Sequence, residues 1–172
     1  MNNFIRTNKY FSNYRDEILD IVKPLDDEIK YISNKYGDLT TTIFIHVRMG
    51  DYIGDPLHFL NLQNYYTKCI DLCTNSTTNT QMIVVTDDKD KCLELYPFLS
   101  VYQIVIEPEI MTLFIMSLCL AGGICANSSF SWWGAWLNKN PNKKIFMPNK
   151  WFGDPAIETS DIYFDNVNII PI

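Results

Sequence analysis

From residue 41 onward, short β-branched apolar runs alternate with longer stretches of helical spacing. No other feature of this 172-residue chain limits its fold as tightly. Thr42-Ile43-Phe44-Ile45-His46-Val47 reads as a buried strand. Residues 61–73 follow as a helix, with Leu62, Tyr65, Tyr66, Cys69, Leu72 and Cys73 on one side. Met82-Ile83-Val84-Val85 predicts a second strand, and Asp88 to Leu95 a helix that stops before Pro97. Val101 to Ile106 is a third strand and Ile110 to Leu120 a helix. Gly123-Ile124-Cys125-Ala126 is a short fourth strand, and Ser131 to Leu137 opens another helix. Lys144-Ile145-Phe146-Met147 is a fifth strand, stopped by Pro148. Apolar strands separated by helices imply an α/β fold: a Rossmann-like, mostly parallel sheet with helices on both faces.

The first forty residues differ. They are charged, lack strand-like runs and space Ile18, Ile21, Val22, Leu25, Ile29 and Ile32 three or four apart. Pro24 divides them into two short helices; Asp26, Asp27 and Glu28 suit the first turn of the second and Gly37 its end. The expected organisation is a helical segment, 1–40, packed on a Rossmann-like domain, 41–172.

Composition excludes several classes of partner. A net charge of −6 is wrong for nucleic acid or an anionic membrane surface, although a few placed cations can still hold a small anion. The longest apolar run, Ile110 to Ala126, is broken by Thr112, Ser117, Gly122 and Gly123, so a buried helix running into a buried strand fits better than a membrane span. The polar start Met1-Asn2-Asn3-Phe4-Ile5-Arg6 reads as lacking the apolar core of a secretion signal, so none is expected. The five cysteines, Cys69, Cys73, Cys92, Cys119 and Cys125, are odd in number and include no C-x-x-C. They read as reduced core residues, with a cytoplasmic location expected. With only His46 and His58 to join them, no metal site is expected. Asn75-Ser76-Thr77 matches a glycosylation sequon and reads as a polar loop.

In open parallel sheets, ligands bind beyond the C-terminal strand ends. The first strand ends in Arg48-Met49-Gly50-Asp51-Tyr52, the second in Thr86-Asp87-Asp88, the third near Glu107-Pro108-Glu109 and the fourth in Asn127-Ser128-Ser129-Phe130. A hydroxyl-rich helix start offers free N–H groups to a phosphate, and Arg48 can add a bidentate cationic contact. Each residue also has an ordinary structural role: Ser128 or Ser129 as an N-cap, Arg48 in a salt bridge, His46 in the core, and Trp132, Trp133 and Trp136 in helix packing.

Four segments go further. His46-Val47-Arg48-Met49-Gly50-Asp51-Tyr52 resembles the H-x-R-R-G-D-Y motif of the α-1,2-fucosyltransferases, glycosyltransferase family 11. Ala126-Asn127-Ser128-Ser129-Phe130-Ser131-Trp132-Trp133-Gly134-Ala135-Trp136-Leu137 resembles that family's most recognisable block. Thr86-Asp87-Asp88 is similar to its S/T-D-D motif, and Pro148-Asn149-Lys150-Trp151 to its P-x-x-W. The resemblance spans roughly residues 8 to 153 and specifically covers the donor-binding half of a GT-B architecture.

The resemblance implies inverting, metal-independent transfer of L-fucose from GDP-β-L-fucose to a sugar hydroxyl, with no cofactor beyond the donor. Carried over by residue, it implies that Arg48 neutralises the donor diphosphate, that Ser128 and Ser129 contact phosphate, and that His46, Asp87, Asp88, Asn127 and Phe130 line the donor pocket. Trp132, Trp133 and Trp136 brace the site. Asp51 and Asp55, in the loop after Arg48, are the candidate general bases. Trp133→Ala is expected to cost roughly 3–5 kcal/mol as a buried aromatic. The partners are a nucleotide-sugar and a carbohydrate acceptor, with a second copy or another chain supplying the acceptor half. Three departures run from polar to apolar: Met49 stands where the family carries a second arginine, Leu113 where it carries an acid, and Leu120-Ala121 where it carries polar or basic residues. The competing reading is a non-catalytic nucleotide-sugar or carbohydrate binding module.

Overall fold

The computed structural model describes residues 8–75 and 80–172; the N-terminal Met1-Asn2-Asn3 and the second and third sequon residues lie outside them. Among the described residues, two 3₁₀ turns (Asn8–Tyr10 and Ser12–Tyr14) precede the α-helices α1 (Arg15–Ile21) and α2 (Asp26–Tyr36). Then follow β1 (Thr42–Val47), α3 (Gln63–Thr74), β2 (Gln81–Thr86), α4 (Lys89–Leu95) and β3 (Gln103–Val105). The remainder is α5 (Glu109–Leu118), β4 (Gly122–Ile124), α6 (Ser129–Leu137), β5 (Lys144–Pro148) and β6 (Val167–Ile170).

The six strands of the described residues form one all-parallel sheet in the order β3-β2-β1-β4-β5-β6. The fold is therefore α/β and Rossmann-like. The chain winds outward from β1 through β2 to β3, then returns to the other side of β1 for β4. That reversal creates a crevice at the C-terminal ends of β1 and β4, where such sheets bind ligands.

Alternation along β1 divides the core in two. Ile43, Ile45 and Val47 pack with Tyr65, Tyr66 and Cys69 of α3 and Cys92 of α4. Phe44 points the other way, into a cluster with Leu19, Ile32 and Tyr36 of the first two helices, Phe114 and Ile115 of α5, and Trp132 and Trp136 of α6. β4 runs through the middle as Gly-Gly-Ile because neighbours crowd it. A Cβ on Gly123 would overlap the Phe44 ring; one on Gly122, at φ +138°, would overlap the Lys144 carbonyl.

Several local readings change. The N-terminal apolar spacing does not run through both helices. α1 ends at Ile21 and Leu25 is the N-cap of α2, so the helical phase resets across Pro24. Ile32 is buried, whereas Ile21 and Leu25 face solvent. The third strand is shorter than predicted, because Pro97–Val101 forms a 3₁₀ turn. A sixth strand lies at the sheet edge, and α6 starts at Ser129, two residues early. Trp132 and Trp136 are buried, but Trp133 is half-buried, its outer face stacked on Phe11 at 5.3 Å.

Cations hold the far end of α6. Arg15 Nη2 donates to the Trp136 and Asn138 carbonyls at 2.9 and 3.0 Å, and Lys143 Nζ to the Asn138 carbonyl at 2.6 Å. These satisfy carbonyls that a helix C-terminus leaves open. Burial, with the Arg15 charge adding, pushes the Lys143 ammonium down to about 8. No helix among the described residues is long and apolar enough to cross a membrane.

Candidate functional site

The loop leaving β1 is built around a carboxylate from the neighbouring strand. Asp87, one residue past β2, accepts from the Met49 N–H at 2.8 Å and the Gly50 N–H at 3.1 Å. Its Oδ2 also lies 3.2 Å from Arg48 Nη1. A Cβ on residue 50 would come within 2.6 Å of that oxygen, which explains the glycine. Arg48 Nε donates to Asp51 Oδ1 at 2.9 Å, while Nη2 has no hydrogen bond among the described residues. Burial opposes the Arg48 charge, but the Asp51 hydrogen bond and the Asp87 charge more than offset it, raising the guanidinium above its ordinary range. Arg48 is held by two carboxylates and keeps one face of donors in reserve.

An anion arriving there competes with Asp51, whose side chain is 67% exposed and free to swing away. A surface pair of this kind is worth about 0.2–1 kcal/mol. Asp51→Asn is therefore expected to tighten inorganic pyrophosphate about 2–5-fold in titration calorimetry. Unchanged or weaker binding would mean that Asp51 does not compete for Arg48.

Across the crevice, α6 begins. Ser128 is its N-cap, in extended backbone, with Oγ accepting from the Phe130 N–H at 3.3 Å. Ser128 is buried and Ser129 exposed. The helix therefore presents its positive end beside Ser129 at the β4 end of the crevice, with Arg48 at the β1 end.

His46 is fully enclosed beneath this gap, with its ring 5.8 Å from that of Phe130. Burial, then the Arg48 charge, pushes its imidazole down to about 3, so it is neutral at physiological pH. Its Nδ1 is buried without a hydrogen-bond partner among the described residues.

The remaining sequence candidates have structural partners. Asp88 is the N-cap of α4: Oδ1 accepts from the Lys91 N–H at 3.1 Å, and Oδ2 pairs with Lys91 Nζ at 3.2 Å. Asn127 is buried and spends its amide as a clamp, donating to the His58 carbonyl at 2.8 Å and the Trp151 carbonyl at 2.9 Å. Trp132 Nε1 donates to the Ile162 carbonyl at 2.6 Å, and its ring stacks on Trp136. Asp55 Oδ2 lies 2.6 Å from His58 Nδ1, and its Oδ1 accepts from the Leu57 N–H at 2.8 Å. Met49 is 2% exposed, its side chain turned into the α3–α4 side of the core rather than toward Arg48. The third strand's Glu107 is used elsewhere, accepting from Tyr36, Tyr31 and Lys35 to tie α2 to the sheet.

Three side chains gain a place that sequence reading had not given them. The Tyr52 hydroxyl donates to the Asn127 carbonyl at 3.1 Å, and its ring lies 5.9 Å from the Arg48 guanidinium carbon and 5.2 Å from the His58 ring. Phe152 packs edge-on against His58 at 5.6 Å. The available signal was the Asp55–His58 spacing of three residues, which suits a turn that brings the two side chains together.

The cysteines are buried, and burial pushes the Cys69 thiol up to about 12 and those of Cys73 and Cys92 to about 11. No thiolate nucleophile is offered here. The chemistry of the crevice is that of a guanidinium, a helix N-terminus and an imidazole–carboxylate pair.

Two known proteins resemble this chain over most of its length. The chain is 31% identical to the O-antigen biosynthesis glycosyltransferase WbnK of Escherichia coli, an alignment covering 83% of this chain and 54% of that protein. It is 26% identical to an alpha-1,2-colitosyltransferase of Escherichia coli, covering 92% of this chain and 58% of the relative. The chain thus spans just over half the length of these relatives. The model of glycosyl transferase family 11 matches residues 1–169. With nearly its whole length matched, from before Arg48 to beyond the α6 block, the chain belongs to glycosyl transferase family 11.

Proposed function

We propose that the crevice between β1 and β4 binds a nucleotide-diphospho-sugar, and that the chain is a glycosyltransferase moving L-fucose from GDP-β-L-fucose to a sugar hydroxyl. One observation carries this reading: Arg48 and the start of α6 flank the switch point of the sheet, with Arg48 Nη2 uncommitted. Charge builds on a departing diphosphate, and a guanidinium facing a helix N-terminus is placed to stabilise it. Under this reading no metal ion is required and the sugar inverts, because the acceptor attacks from the face opposite the diphosphate. Ser129 meets phosphate directly, Ser128 orders the helix start, and Phe130 with neutral His46 forms the floor. Asp87 positions Arg48, and Asp88 fixes the neighbouring helix. The five cysteines are buried and none forms a disulfide among the described residues, which supports a cytoplasmic setting.

A relative named for colitosyl rather than fucosyl transfer makes the donor the first thing to test. The assay is thermal unfolding with GDP, GDP-β-L-fucose, UDP and ADP in turn. A ligand at about 100 times its dissociation constant stabilises by about 2.7 kcal/mol. For a domain of this size that is a rise of roughly 5–10 °C. Guanine nucleotides are expected to give this shift, and UDP and ADP little. A shift with UDP or ADP alone would reassign the nucleotide, and no shift with any would remove the donor site. The binding-module reading draws on Met49, whose burial leaves no second cation beside Arg48 in this loop. Donor binding without transfer would favour it.

A further inference from the structure

We propose that His58, oriented by Asp55, is the general base that takes the proton from the acceptor hydroxyl. The proposal rests on the glycosyltransferase reading and assigns within it the step that sequence reasoning had given to Asp51 or Asp55.

The two carboxylates are poorly placed for the task. Asp51 is hydrogen-bonded to Arg48, which holds its carboxyl below the usual range. Asp55 is bound by His58 and by the Leu57 N–H, which hold it low in the same way. Both are stabilised as anions and so weakened as bases.

His58 has the opposite arrangement. Its Nδ1 meets Asp55 Oδ2 at 2.6 Å, and because the carboxylate accepts, Nδ1 carries the hydrogen. In the neutral ring Nε2 then holds the lone pair, and it makes no hydrogen bond among the described residues. The side chain is 27% exposed, enough for a ligand to reach it. An imidazole with its second nitrogen tied to a carboxylate is the base-and-orienter arrangement of acyl-transfer and related sites.

The residue is also fixed where the acceptor must come. Asn127, immediately before the α6 N-cap, holds the His58 carbonyl at 2.8 Å. Tyr52 contacts both Arg48 and His58, its ring 5.9 Å from the guanidinium carbon and 5.2 Å from the imidazole. Phe152 also packs against the imidazole, ring centroids 5.6 Å apart and steeply tilted. That contact is itself pinned: the Gly153 N–H donates to the Leu57 carbonyl at 2.8 Å, and a Cβ at Gly153 would overlap the Pro56 carbonyl. One aromatic ring, that of Tyr52, thus touches both the base and the guanidinium that would hold the leaving diphosphate.

The step balances within these groups. The acceptor oxygen forms its bond to the anomeric carbon as the bond from that carbon to the diphosphate oxygen breaks. The electron pair leaves with the diphosphate toward Arg48 and α6. The hydroxyl proton passes to His58 Nε2, and the imidazolium is stabilised by Asp55.

The test uses the whole chain with labelled GDP-β-L-fucose and lactose. His58→Gln is expected to keep the parent's thermal shift with GDP and to lose transfer by about 100-fold or more, the lower range for general-base catalysis. Asp55 is a positioning residue. Asp55→Asn is expected to move the imidazole hydrogen from Nδ1 to Nε2, read by ¹⁵N NMR of the ring, and to slow transfer while GDP binding holds. Transfer by His58→Gln within threefold of the parent would overturn the proposal and leave the glycosyltransferase reading standing. So would an Nε2–H tautomer in the parent. A parent that binds GDP but transfers nothing overturns it for this chain. A parent that does not bind GDP overturns the donor site first, and this proposal with it.

Discussion

Replacing Arg48 with alanine is expected to weaken GDP binding by at least about 100-fold while the protein stays folded. Hydrogen bonds to a charged group contribute about 1.5–3 kcal/mol each. Losing two to a diphosphate is worth roughly 3 kcal/mol or more, about two powers of ten in affinity. At a GDP concentration that raises the parent's unfolding temperature by roughly 5–10 °C, the variant would sit near its dissociation constant. The residual stabilisation is then about 0.4 kcal/mol, a shift of roughly 1 °C. The loop should survive, because Asp87 still accepts from the Met49 and Gly50 N–H groups. Ligand-free melting of parent and variant should therefore nearly coincide. An undiminished GDP shift in Arg48→Ala would place the diphosphate elsewhere.

The physics behind that expectation is topological. β1 and β4 are neighbours in the sheet but far apart in sequence, so the loop carrying Arg48 and the start of α6 meet only because the chain reverses its winding at β1. Asp87 arrives from β2 on the other flank of β1 and locks the loop through backbone N–H groups. Three segments separated by some forty residues each form one crevice.

How much of this was legible depended on what kind of signal each part left. β1, β2 and β5 are apolar runs buried over nearly their whole length, and their composition alone identifies them. β6 is an edge strand with two exposed residues among its four, Asn168 and Ile169, so it leaves no such run. The phase of Ile21 and Leu25 misled because helical periodicity does not survive a proline break. The loops of the site could be placed from strand ends, and the motif resemblance named most of their residues. Partnership within those loops could not be read. That Asp87 braces the loop, that Asp88 caps a helix, that Met49 turns inward and that Asp55 meets His58 are facts of three-dimensional register.

The tryptophans show the same limit in energetic terms, and they carry the largest stability effect expected in the chain. The sequence reading expected Trp133 to be a buried aromatic, but Trp132 is the deeper residue, 4% exposed against a half-buried neighbour. Its ring is edge-on to Phe164 at 5.4 Å and stacked on Trp136 at 6.2 Å, and its indole N–H is bound to the Ile162 carbonyl. Trp132→Ala removes the packing, at roughly 3–5 kcal/mol, and strands a buried carbonyl, at about 1 kcal/mol more. Against a typical total of about 5–15 kcal/mol, this leaves a protein close to unfolding at room temperature. Trp133→Ala loses its stack on Phe11 and its edge contacts with Trp132 and Trp136, but from a half-buried position, so a smaller loss of about 1–2 kcal/mol is expected. Urea unfolding of the two variants distinguishes the cases by midpoint. Equal losses would mean that the outer stack on Phe11, which fastens the N-terminal segment to α6, contributes as much as the inner ring. The first helices would then be as integral to the fold as the sheet itself.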